Sequence, residues 1–109
     1  EPPPMPISLH AAFVPSALQM LGTCDHLIAR AQAWCGETGC DAGELIGACI
    51  HPEMFPFSYQ VKSVAVHSAG AVEGVRAGVF APDLDPPPAD FAGLTERVAK
   101  ARETLTGVT

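Results

Sequence analysis

At 109 residues the chain has room for one small domain, and a hydrophobic content of 48% supports a packed core rather than disorder. Only 6% is aromatic, so a core of Ala, Val and Leu with closely spaced elements is expected. The net charge of −6 argues against a nucleic-acid surface, which needs clustered Lys and Arg, and no apolar run reaches the ~18 residues of a membrane span.

The opening residues have no n-region and h-region of a secretory signal. Glu1 to Pro4 precede Met5, and MPISL reads as a natural start, with the first four residues an extension or a tag remnant and residues 5–109 a single domain. A reducing, cytoplasmic setting is the expectation. Ser8 then stands where an N-cap is wanted, and the first helix is predicted over 9–35. Leu9, Phe13, Ala17, Leu21, Cys24, Ile28, Ala31 and Cys35 give its inner stripe, leaving Val14, Leu18 and Trp34 outside it. Pro15 lacks an N–H and is predicted to bend the helix or split off its first turn. Gly36 and Gly39 are the expected stop.

A short helical piece is predicted over 41–49, with Asp41 and Glu44 at capping-box spacing. His51-Pro52 ends it. The four cysteines stand at 24, 35, 40 and 49. Cys35-x4-Cys40 lacks the two-residue gap of a zinc knuckle or redox pair. A zinc site from Cys35, Cys40, Cys49 and His51 can be drawn, as can a Cys35–Cys40 disulfide, but small buried or half-buried thiols are the simpler expectation.

A long helix is predicted over 56–77, with Pro56 in its first turn. One face holds Met54, Phe57, Val61, Val64, Ser68, Val72, Val75 and Val79. A second, small and polar, holds Gln60, Ser63, His67, Gly70 and Gly74. A helix with two such faces belongs inside a bundle. Gly78 stops it, and residues 79–89, VFAPDLDPPPA, form an extended crossover tacked down by Phe80 and Leu84. Asp83 and Asp85 read as solvent-seeking residues of this linker. The last helix is predicted over 90–106, capped by Asp90, with Phe91, Leu94, Val98, Ala101, Leu105 and Val108 repeating by three and four. Its Arg97, Lys100 and Arg102 read as a solvated face, with Glu96 to Lys100 an i,i+4 pair. No strand and no internal repeat is seen.

The residues ISLHAAFVPSALQML, HPEMFPFSYQVK and GVRAGVFAPDL, in this order and spacing, resemble an uncharacterised bacterial and fungal family. It is catalogued as domain of unknown function nineteen ninety-three and grouped with the DinB/YfiT-like bundles. The resemblance implies an all-α, up-down-down-up four-helix bundle with the proline-rich linker as the crossover. It also implies a fourth helix that this chain, ending at Thr109, lacks. The chain is then a fragment, or a partner supplies the missing face. The superfamily includes metal-dependent thiol transferases and isomerases whose metal sits on one His of the second helix and two of a later one. His67 is the residue here that matches the first.

Gln60, Ser63, His67 and Tyr59 are therefore the pocket candidates. A metal needs several ligands converging near 2 Å, and no HxxxH or HExxH pair exists. No metal is expected, with His67 a weak candidate and zinc or nickel the alternative. Tyr59 and Trp34 read first as packed rim residues. Two functions remain: a structural or interaction domain that forms a homodimer through the first and middle helices, or a metal- or thiol-cofactor-dependent transferase or isomerase with a small-molecule pocket between helices.

Overall fold

The computed structural model describes residues 6–108. The proposed extension, Met5 and Thr109 lie outside the described residues. All regular structure among those described is helical: α1 Leu9–Thr38, α2 Ala42–Ile46, α3 Phe57–Ala65, a π-helical turn Val66–Gly70, α4 Ala71–Ala77 and α5 Phe91–Thr106. α3, the π turn and α4 follow one another without a gap and form the middle helix.

The α1 start follows from Ser8, whose Oγ accepts a hydrogen bond from the Ala11 N–H at 3.0 Å. Pro15 does not divide the helix. Proline removes one hydrogen bond, and in a helix of 30 residues anchored by buried Val14 and Ala17 one missing bond is carried by its neighbours. The helix also runs past the predicted stop. Gly36 stays helical, and Gly39 is the residue that turns left-handed, with φ of 73° and its N–H on the Cys35 carbonyl at 2.9 Å. The inner stripe is Val14, Ala17, Leu21, Cys24 and Ile28; Leu9 and Phe13 lie outside it. The steps of four at Leu9, Phe13, Ala17 and Leu21 each drift about 40° round the helix, which carries Leu9 and Phe13 off the face that Val14, Ala17 and Leu21 share.

α2 is shorter than predicted, ending at Ile46, which is buried. Asp41 contributes its carbonyl to the Glu44 and Leu45 N–H groups, and its carboxylate makes no capping bond. The bend at 50–54 is fixed by His51, whose carbonyl accepts from Met54 and whose Nδ1 accepts from the Glu53 N–H.

The middle helix buries a different face from the predicted one. Ser58, Val61, Lys62, Ala65, Val66, Ser68 and Ala69 are buried, whereas Met54, Val75 and Val79 are exposed, Val75 at 76%. Met54 precedes the helix and Val79 follows its Gly78 stop, so of these three only Val75 is displaced by the π turn. That turn takes in about one extra residue, which turns all that follows by about 100° relative to a regular helix. Ser68 is part of this turn, its hydroxyl donating to the Val64 and Ala65 carbonyls at 2.6 and 3.2 Å. Gly78, at φ 81°, ends α4.

α5 fits its predicted stripe. Asp90 Oδ1 accepts from the Gly93 N–H at 2.7 Å, and Phe91, Leu94, Val98, Ala101 and Leu105 are buried. This helix packs on both α1 and the middle helix, which meet each other much less. Leu94, Val98 and Leu105 of α5 are fully buried, as are Leu21 and Ile28 of α1, each worth roughly 1.5–3 kcal/mol. The basic residues of α5 do more than line a solvated face. Arg102 pairs with Asp25 of α1 and Arg97 with Asp83 of the linker, whereas Glu96 and Lys100 do not come within ion-pair distance.

The linker is fastened by charge, contrary to the reading of Asp83 and Asp85 as solvent-seeking. The Lys62 side chain, 3% exposed as a residue, donates to the Asp83 carbonyl at 2.7 Å and to the Asp85 carbonyl. It also lies 3.5 Å from the Asp83 carboxylate and 5.1 Å from the centroid of the Tyr59 ring. Four prolines and an extended backbone leave these carbonyls without helical partners, so a buried ammonium satisfies them. Leu84 is exposed and fastens nothing, while Phe80 lies against Gly70 and Gly74.

Candidate functional site

The pocket candidates on the middle helix do not converge. Gln60 is exposed, and its Nε2 donates to the Phe55 carbonyl at 3.2 Å, tying down the proline turn before α3. Tyr59 stacks on Phe55 with ring centroids 4.1 Å apart. Ser63 is half-buried. His67 is exposed within the π turn, 6.2 Å from the Phe80 ring. None of the four lines the two clefts described next.

The first cleft, of about 420 Å³, lies between the middle helix, the linker and α5. Ala65, Ala69, Gly70 and Gly74 leave room for it, Phe80 covers one end, and Arg97 and Lys100 border it. A Cβ on Gly74 would stand 2.8 Å from the Phe80 ring, so that glycine is required by the packing of the linker. Asp83, at the rim, has its carboxyl held below the usual range. The Asp85 N–H bonded to its Oδ1 at 2.9 Å is the main cause, opposed by burial and helped by Lys62 and Arg97. These charges are satisfied among themselves and hold the linker.

The second cleft, of about 540 Å³, is apolar and opens between the N-terminal end of α1 and α4. Phe13, Val14, Val72, Val75 and Val108 line it, with Leu9 at its edge. His10 Nε2 lies 3.0 Å from the Val108 carbonyl, which brings the end of the α5 segment against α1. The rotation imposed by the π turn puts Val75 here, while Val72 lies between the cleft and the core, against which it is partly buried. The cleft runs into an apolar row along α1, where Phe13, Met20, Leu27 and Trp34 are 37%, 54%, 49% and 52% exposed. Asp25, Arg30 and Glu37 are the only charged residues of α1, far fewer than the quarter or more of a normal solvated surface. A helix apolar on more than one side is built to be covered.

All four cysteines are free thiols. Cys24 is in the core, and burial, then the neighbouring Asp25 charge, pushes its thiol up. Cys35 is raised by burial and then by a hydrogen bond with Cys40, whose Sγ lies 3.5 Å from the Asp41 carbonyl. Cys49 is exposed. Among the described residues no three His, Cys, Asp or Glu side chains are grouped to hold a metal ion, so Cys35, Cys40, Cys49 and His51 do not form one cluster. No helix among them is long and apolar enough to cross a membrane.

The sequence reading missed the Lys62–Asp83–Arg97 group. Its only signal was an isolated Lys on the inner side of a helix otherwise lined by Val and Ala. The α1 row was visible as a seven-residue spacing of large apolar residues, but Phe13 was assigned to the core. In comparisons with known proteins, the family model described as Domain of unknown function (DUF1993) matches residues 9–109. No curated protein and no solved structure matches the chain.

Proposed function

The chain belongs to the domain of unknown function family DUF1993, and from that premise we propose that it is a helical interaction domain that forms a homodimer through α1 and the middle helix. The exposed area carries this reading. A compact monomer of 11.3 kDa exposes on the order of 5,700 Å², whereas this chain exposes 7489 Å². The excess, on the order of 1,000–2,000 Å², is what one side of a large protein interface hides. Leu9, Met20, Leu27, Trp34 and Val75 are among the large apolar residues that contribute to the exposed area, at 84%, 54%, 49%, 52% and 76% exposed. The architecture is read as a DinB/YfiT-like up-down-down-up bundle with one corner open. The long crossover to α5 and the groove left between α1 and α4 support this. Four free thiols suit a reducing compartment such as the cytoplasm.

Sedimentation equilibrium of the purified chain tests the proposal. A species of twice 11.3 kDa at micromolar concentration, insensitive to added chelator, is expected. A monomer at tens of micromolar contradicts it.

A further inference from the structure

Beyond Leu9 at its first position, the large exposed apolar residues of α1 stand at 13, 20, 27 and 34, one every seven residues. Seven residues are nearly two helical turns, so they form one row with a slow drift. Between them, at steps of four and three, lie Ala17, Cys24 and Ala31, which are small and already covered wholly or in part by the core. From either end the row has the same order of sizes: aromatic, small, aliphatic, small, aliphatic, small, aromatic. A two-fold contact between antiparallel copies of one helix needs this, because each side chain must meet one of matching size after reversal.

We propose that α1 packs antiparallel against α1 of a second copy about a two-fold axis beside Cys24, with Phe13 opposite the partner's Trp34 and Met20 opposite the partner's Leu27. The proposal rests on the dimer reading above and specifies its contact. Two chains that each carry −6 repel one another, and α1 is the face where repulsion is least. Asp25 is neutralised by Arg102, and Arg30 and Glu37 cancel. The same register brings Glu37 near the partner's His10. A parallel pair has no need of the palindrome, sets Arg30 against Arg30 and Glu37 against Glu37, and aligns the helix dipoles. The contact has the length of α1, about 45 Å. At its Phe13 end the row borders Val72 and Val75, so a helix laid along it fills the apolar groove as well.

The test places a photoreactive benzoylphenylalanine at Ser16, exposed on the outer flank of the row, in an equal mixture of isotopically heavy and light chains. Cross-links between heavy and light chains that fall within residues 30–34 are expected. Within one chain that segment lies about 21 Å away along the helix and is out of reach. Met20→Glu, at a position more than half exposed, is expected to keep its helicity while dimer and cross-link both fall at least tenfold. Cross-links within residues 13–20 of the partner mean a parallel pair and overturn the proposal. A dimer without α1–α1 cross-links overturns it and leaves the dimer standing. A monomer overturns both.

Discussion

Lys62 ties the linker to α3. Its ammonium is held by the Asp83 and Asp85 carbonyls and the Asp83 carboxylate, so the linker and α3 cannot part without exposing a buried charge. Lys62→Met keeps the volume and removes the donor, leaving two carbonyls unmatched. A loss of about 1–3 kcal/mol is expected, read as a lower urea midpoint at constant slope. Asp83 adds a pH dependence. Its folded pKa lies below its ordinary 3.8, so its contribution is complete above that value and lost as pH falls through the lower one. Asp83→Asn should therefore be less stable than wild type at pH 7, with the gap closing below about pH 4. An unchanged gap at pH 2.5 would show that the carboxylate charge is not what matters. The isolated Lys among Val and Ala does not by itself announce this group, because Lys62 and Asp83 are 21 residues apart and a lysine on an apolar stripe ordinarily snorkels to solvent.

At the scale of the elements, spacing and caps were legible, and the places where the chain departs from regular helix were not. The stripe of α5 and the caps at Ser8 and Asp90 follow from residue type and three-and-four repetition alone. The end of α1 does not, since two glycines three residues apart both qualify and only packing chooses Gly39. That choice is measurable. Gly39→Ala forces an alanine into a left-handed position and should cost about 1–2 kcal/mol, whereas Gly36→Ala, with open space around its Cβ, should be stabilising by up to about 1 kcal/mol. The π turn left no trace in the pattern, because Val61, Val64, Ser68, Val72 and Val75 would continue a regular stripe. Insertion of one residue leaves Val75 outward and Val72 only partly buried against the core. Deleting exposed His67 should restore the regular helix and rotate Val72 and Val75 toward the core. Circular dichroism should remain helical while self-association weakens at least tenfold; undiminished self-association would mean that the face set by the π turn plays no part in it.

For the whole molecule, the core is two interfaces that share α5, which leaves α1 covered on one side only. A thirty-residue helix with three charged residues and five large apolar ones that are between 37% and 84% exposed has the composition of an interior element. The outer row runs beside Ala17 and Cys24, which are buried, and Ala31, which is half-buried. Placing a charge in the outer row should therefore spare the fold and break the assembly. Leu27→Glu is expected to shift the thermal midpoint of the dissociated chain little while raising the dissociation constant at least tenfold. Trp34 reports on the same surface. It is the only tryptophan, it is half-exposed in the single chain, and the proposed pairing covers it with the partner's Phe13. The most direct measurement is its emission as the protein is diluted from tens of micromolar to nanomolar. A blue-shifted maximum at high concentration that moves to the red on dilution, with a midpoint matching sedimentation, is the predicted result; an emission maximum that does not change over that range would contradict the account.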